Sequence, residues 1–231
     1  MTFKGGSGRG PRSLRNQRPL DAEQVVEAAV RLTRLHGLGA WTLRQLADEL
    51  ESWPAVVYHH VGDREAVIAA VVDHVLREAL DVVPEGEWRD WFGIVLHRLR
   101  EALREHTGVA QWLAVNGPAV PAMLRLIDRG VLLLTAAGFG DEAPFVYSTL
   151  VDAAVQQIAV EDGKDSPSHP CEEAERMIAE YRDSVDHRGL ALMAVACEDH
   201  RKSDHLYTYR VERALDGIAV RLAELRGGSP A

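Results

Sequence analysis

The chain has 231 residues, a formal net charge of −9 and 46% hydrophobic residues. That is material for one or two domains with a buried core, and it excludes a disordered, collagen-like or disulfide-stapled chain. Two cysteines, Cys171 and Cys197, point to a reducing cytoplasm, and the longest apolar run, Leu190–Cys197, falls far short of the roughly 18–20 residues of a membrane span.

Residues 1–19 are rich in Gly, Arg and Ser without hydrophobic periodicity, which predicts a disordered basic arm. No apolar core follows this basic start, so no export signal is expected. Residues 1–20 hold five basic and no acidic side chains, whereas residues 62–231 hold 18 basic and 29 acidic ones. A basic end on an acidic body suggests that one end meets a polyanion, although basic tails are often simply solvated. The arm either follows a DNA minor groove or only solubilises the chain. Gly6-x-Gly8-x-Gly10 has no strand before it and no helix directly after it, so it does not read as a phosphate loop.

The first helix starts at an Asp21 N-cap with Gln24 in capping-box position, and Leu20 is placed to staple onto Val25. Val25, Ala28, Ala29, Leu32 and Leu35 follow at helical spacing, and Gly37 is a natural C-cap. The device repeats with Thr42 and Gln45, with Trp41 placed to staple onto Leu46. Leu43, Leu46, Ala47 and Leu50 make this second helix short and amphipathic. After a break at Glu51-Ser52-Trp53, Pro54–His60 fits a third helix, since proline suits a first helical turn. A fourth begins near Asp63. Further helices are predicted over Trp88–Arg104, Val109–Val115, Pro121–Ala137, Glu142–Val160, Glu172–Ser184, Leu190–Asp199 and Leu206–Leu225. No sustained period-two alternation occurs, so the fold class is all-α.

Two short helices joined by a three-residue break describe a helix-turn-helix, whose second helix enters the DNA major groove. Trp41-Thr42-Leu43-Arg44-Gln45-Leu46-Ala47, then Val57-Tyr58-His59-His60-Val61 and Arg64, closely resembles the tetracycline-repressor (TetR) family of bacterial regulators. The resemblance covers residues 21–75. A looser one extends over Trp88–Arg104 with His106, Leu133–Gly138 and Leu215-Asp216-Gly217-Ile218. It implies a basic arm at 1–19, a DNA-binding domain at 20–64 and an effector-binding and dimerisation domain at 65–231.

Thr42, at a helix N-terminus, is suited to hold a phosphate, and Arg44 in the first turn to reach a phosphate or a base edge. The resemblance makes Tyr58 and His60 phosphate anchors and puts Arg64 where a Lys usually meets the backbone. Tyr58 also fits a half-buried core ring, and the two roles are compatible. His59 and His60, adjacent on a helix, point apart and do not read as a metal site. Trp53, Pro54, Ala55 and Val56 make the reading helix apolar. They cannot make bidentate base contacts but can pack on thymine methyls, leaving Arg44 and His59 as the chief polar readers. Three residues depart from the family pattern: Glu51 stands where Gly is usual, Ser52 where an aliphatic residue fills the core, and Trp53 where Ser or Thr caps. Either Glu51 takes a left-handed conformation, at roughly 1–2 kcal/mol, or the turn is reshaped with Ser52 as the cap.

In the body, the resemblance implies a four-helix dimer interface formed by the segments 142–160 and 206–225. Leu215, Ile218 and Leu222 lie on one stripe of the latter, which fits an interface or an intramolecular core. Phe92, Leu96, Leu99, Trp112, Met123, Ile127 and Tyr147, with Gln156 as a polar contact, are candidates for an effector pocket or for plain core. Cys171 and Cys197 lack any nucleophilic context. Cys197, Asp199, His200, Asp204 and His205 form the only metal-like cluster, more simply a buried Cys beside a charged loop, and His169-Pro170-Cys171 earns no more. The sequence therefore predicts a homodimeric, ligand-responsive DNA-binding regulator, a repressor of a near-palindromic operator released by a small apolar or aromatic effector. No cofactor, metal, membrane or enzymatic activity is expected. The alternatives are a DNA binder without effector, and a helical ligand-binding protein or enzyme whose degenerate helix-turn-helix no longer binds DNA.

Overall fold

The computed structural model describes residues 20–81, 85–118, 120–164, 170–200 and 205–227. The basic segment 1–19, His169, Asp204 and the Cys171, Asp199 and His200 side chains lie outside the described residues. Eleven α-helices and no strand occur among the described residues: α1 (Ala22–His36), α2 (Leu43–Glu49), α3 (Pro54–Val61), α4 (Arg64–Ala79), α5 (Trp88–Glu105), α6 (Val109–Asn116), α7 (Pro121–Leu134), α8 (Ala143–Lys164), α9 (Pro170–Ala179), α10 (Arg188–His200) and α11 (His205–Gly227).

Local chemistry sets the first boundaries. Asp21 accepts from the Gln24 N–H at 2.9 Å while the Gln24 side chain accepts from the Asp21 N–H at 3.0 Å. Thr42 and Gln45 repeat the reciprocal pair at α2. Asp63 caps α4 through the Ala66 N–H. Each pair satisfies donors that a helix start would otherwise leave orphaned. Val25, Ala28, Leu46, Ala47, Val57 and Val67 then close one core between α1, α2, α3 and α4. Inside it Trp41 Nε1 donates to Thr33 Oγ1 at 2.9 Å, and that hydroxyl donates to Ala29 O at 2.8 Å.

Helix α4 passes from this head into the body, packing on α1 at one side and on α5 and α7 at the other. Around α5 and α8 the body gathers α6, α7 and α11, while α9 and α10 pack chiefly on each other. Three predicted helix ends are corrected, the first two by tertiary contacts. Helix α7 leaves α-helical bonding at Leu134 rather than Ala137 and widens into a π turn over Thr135–Phe139, within which Gly138 has φ 106°. Arg226 closes that turn by donating to Ala137 O at 2.7 Å. Helix α8 runs on to Lys164 because Glu161 and Asp162 find partners in Arg100 and in the Gly108 N–H. Helix α9 stops at Ala179, short of Ser184. No helix among the described residues is long and apolar enough to cross a membrane.

Candidate nucleic-acid interface and ligand cavity

The turn between α2 and α3 is held by backbone bonds alone. Ser52 N–H reaches back to Ala47 O at 2.9 Å and Glu51 N–H to Asp48 O at 3.1 Å, the paired bonds of a Schellman C-cap. That cap needs a left-handed residue at Glu51, and Glu51 has φ 48°. The second expectation, a reshaped turn capped by Ser52, is thereby corrected: Trp53 is the N-cap residue of α3, and no side chain caps that helix. Glycine would adopt the same φ without the Cβ conflict. Glu51→Gly is expected to raise stability by about 1 kcal/mol, read in a thermal melt as roughly 2–4 °C. A lower melting temperature would mean that Glu51 contributes something beyond the turn.

On the outer face of this unit Thr42, Arg44, Ala55, Tyr58 and His59 are exposed, with Pro54, Val56 and His60 partly so. Trp53 is 78% exposed, an unusual position for a tryptophan. Tyr58, at 49%, is half exposed. The His59 and His60 rings meet edge to face at 5.5 Å. Arg64, in the slot that the resemblance gives to a residue meeting the DNA backbone, is partly exposed and also contacts its own chain. Its guanidinium donates to Gly39 O at 3.3 Å and to Trp41 O at 3.4 Å and lies 5.6 Å from the Trp41 ring centroid. It braces the loop that presents Thr42.

In the body a cavity of about 600 Å³ opens between α6, α7 and α8. Met123, Ile127, Tyr147 and Gln156 line it. Phe92, Leu96, Leu99 and Trp112 do not: the first three are fully buried core between helices. Leu113, Val151 and Val155, absent from the sequence-derived set, supply buried apolar wall, and Ser148, Asp152 and Asn116 add exposed polar groups. A spacing of four along α8 joins Tyr147, Val151 and Val155, a signal indistinguishable from ordinary core periodicity.

Tyr147 is the polar feature of the inner wall. Its ring is buried, and its hydroxyl has no hydrogen-bond partner among the described residues. Burial, and then the nearby Asp152 charge, push the phenol well above its ordinary range, so it stays a donor at any physiological pH. The ring fits only because position 130 is glycine: a Cβ there would lie 2.7 Å from Tyr147 Cδ2 and 2.8 Å from Cε2.

The interface stripe expected on α11 is also corrected. Leu215 and Leu222 are buried within the protomer, Leu215 beside Gly93 and Leu222 beside Gly138, and Ile218 packs partly against the same core. The outward apolar side chains of these helices are Phe145 and Val160 on α8 and Val220 on α11. Among the described residues no group of three or more His, Cys, Asp or Glu could hold a metal.

A capped helix-turn-helix joined through α4 to a helical body with an apolar cavity defines a helix-turn-helix protein of the two-part regulator class. Residues 82–221, more than half of the chain, match the family described as tetracyclin repressor-like, C-terminal domain. The chain belongs to this TetR-like family of transcriptional regulators. An HTH-type transcriptional regulator of Saccharopolyspora erythraea is 31% identical over 122 residues, so the chain spans about half, 52%, of that relative's length. The HTH-type transcriptional repressor DrrR1 of Streptomyces coeruleorubidus is 24% identical, with 95% of this chain and 85% of that protein covered. ActR of Streptomyces coelicolor shares the fold, with a TM-score of 0.73 at 23% identity over 93% of this chain and all of that one. ActR has also been crystallised in complex with actinorhodin.

Proposed function

We propose that the chain is a homodimeric transcriptional repressor that binds a near-palindromic operator through α2 and α3 and is released by a small apolar or aromatic molecule in the α6–α7–α8 cavity. The observation that carries this reading is the double attachment of α6. Its last turn, Leu113–Asn116, lines the cavity. At its other end Leu38 N–H of the head donates to Thr107 O at 2.8 Å, and Gly108 N–H donates to Asp162 on α8 at 2.9 Å. Gly108 leaves room for Leu38, which a Cβ would meet at 3.3 Å. A ligand that displaces one end of this short rod moves the loop that holds the head, and operator affinity falls by the ligand's differential preference for the two states. DrrR1, a repressor, and ActR, which binds actinorhodin, support the sign and the ligand class.

Base readout is sparse. Arg44 and His59 are the polar readers, while Trp53, Pro54, Ala55 and Val56 pack on thymine methyls; Thr42, Tyr58 and His60 hold phosphates. Pairing of half-sites rests on the outward stripe of Phe145, Val160 and Val220, beside which Gly217 has open space. The test is selection of bound duplexes from a random pool at ~100 mM salt, since phosphate-driven binding is salt-dependent. A near-palindrome with A·T-rich half-sites is expected, and Arg44→Ala should weaken its binding by about tenfold or more. Absence of enrichment would leave ligand binding without DNA binding as the activity of the chain.

A further inference from the structure

We propose a second ligand site, for an amphiphilic anion, in the cleft of about 460 Å³ between the last turn of α4, α5 and the outer face of α7. It shares no lining residue with the α6–α7–α8 cavity, and the two sit on different faces of α7: Met123 and Ile127 face the cavity, whereas Ala122, Leu126 and Arg129 face the cleft. Leu76, Leu80 and Leu126 make its floor apolar, while Arg77, Arg125 and Arg129 bring three positive charges against the single carboxylate of Asp81. In a body where acids outnumber bases 29 to 18, that local excess is out of character.

Two independent features say what the charges are for. Neither Arg125 nor Arg129 makes an ion pair or hydrogen bond among the described residues, and Arg77 meets only the His74 ring, at 3.4 Å. Trp91, 1% exposed and part of the cleft wall, has an indole N–H with no acceptor among the described residues. A buried donor left unmatched is costly, and an indole can only donate. One acceptor-rich, negatively charged headgroup answers the exposed guanidiniums, with its apolar tail on the leucine floor beside the Trp91 wall. The ligand chemistry is therefore a carboxylate or phosphate on an apolar chain.

The test is calorimetric titration of the full chain with decanoate, decyl phosphate and uncharged decanol. The anions are expected to bind about tenfold or more tightly than decanol, and the tighter of them identifies the headgroup. Arg125→Gln with Arg129→Gln, both on the surface, should erase the difference without shifting the thermal melt. Ser148→Trp, which places an indole at the other cavity, should leave anion binding unchanged. Equal binding of decanol and decanoate, an anion preference that survives loss of both arginines, or loss of anion binding in Ser148→Trp would each overturn the proposal. DNA binding enters none of these readouts, so this site stands or falls separately from the regulatory reading.

Discussion

Arg100→Ala is expected to destabilise the body by about 3 kcal/mol, at the lower end of what breaking a buried ion pair costs because Glu161 keeps some solvent contact. Arg100 sits nearly buried on α5. Its guanidinium donates to Glu161 on α8 at 2.9 Å and lies 4.7 Å from the ring centroid of Tyr207 on α11. The phenol of Tyr207 donates back to Leu96 O on α5 at 2.7 Å. Glu161 also accepts from Gln157 at 2.9 Å, and Gln157 accepts from Arg210. Three helices are thus joined by one set of polar groups, and removing Arg100 takes away the guanidinium that Glu161 meets at 2.9 Å, leaving that carboxylate with the Gln157 amide. At roughly 2–4 °C per kcal/mol for a chain of this size, the melting temperature should fall by roughly 6–12 °C. Arg100→Met separates packing from charge, since it keeps the apolar stem. If Arg100→Met paired with Glu161→Leu restores the stability lost by Arg100→Met alone, the network serves to align the helices rather than to add net stability.

Gly130→Ala is expected to act on ligand binding more than on stability. The added methyl meets Tyr147 at 2.7–2.8 Å and Phe92 Cζ at 3.3 Å. Tyr147 is already set edge to face against Phe92, ring centroids 6.1 Å apart, so it has one way to yield, into the cavity. Overpacking costs about 1–3 kcal/mol, against which the better helix propensity of alanine returns about 1 kcal/mol. The net change in stability is small, but the cavity loses volume and its buried hydroxyl is displaced. Titration with N-phenyl-1-naphthylamine, a neutral aromatic probe, should show affinity falling by about tenfold, and Gly130→Ala with Tyr147→Leu should regain it. Unchanged affinity in Gly130→Ala would mean that Tyr147 does not shape the ligand space.

These expectations draw unequally on the sequence. Helix starts were legible because caps are local: Asp21 with Gln24 and Thr42 with Gln45 announce their own hydrogen bonds. Glu51 was legible only in part: the resemblance set it where Gly is usual, but a reshaped turn capped by Ser52 fitted the sequence as well, and the φ of 48° decides between them. What a side chain packs against is not local. The stripe of Leu215, Ile218 and Leu222 has the same period whether it meets its own protomer or a second one, and two of the three are buried within the protomer. Arg64 reads as a surface cation until the fold brings Gly39 O and Trp41 O to it. Half of the residues expected around the effector line the cavity and half do not, because apolar helices present wall and core with one vocabulary.

Helix α8 would carry both proposed tasks, ligand binding and dimerisation, on adjacent rows. Pro144, Ser148 and Asp152 line the cavity, and one position further on each turn Phe145, Thr149 and Ala153 face outward. A helix is about 10 Å across, so in a dimer built on that outward row each ligand sits a single helix away from the other subunit. Any rotation of α8 that accommodates a ligand also changes the surface that the partner sees, and the partner's α8 must answer it. In the proposed dimer two such ligand sites would be coupled: the first molecule bound would alter the affinity for the second by the free energy with which the dimer contacts resist or favour the rotation.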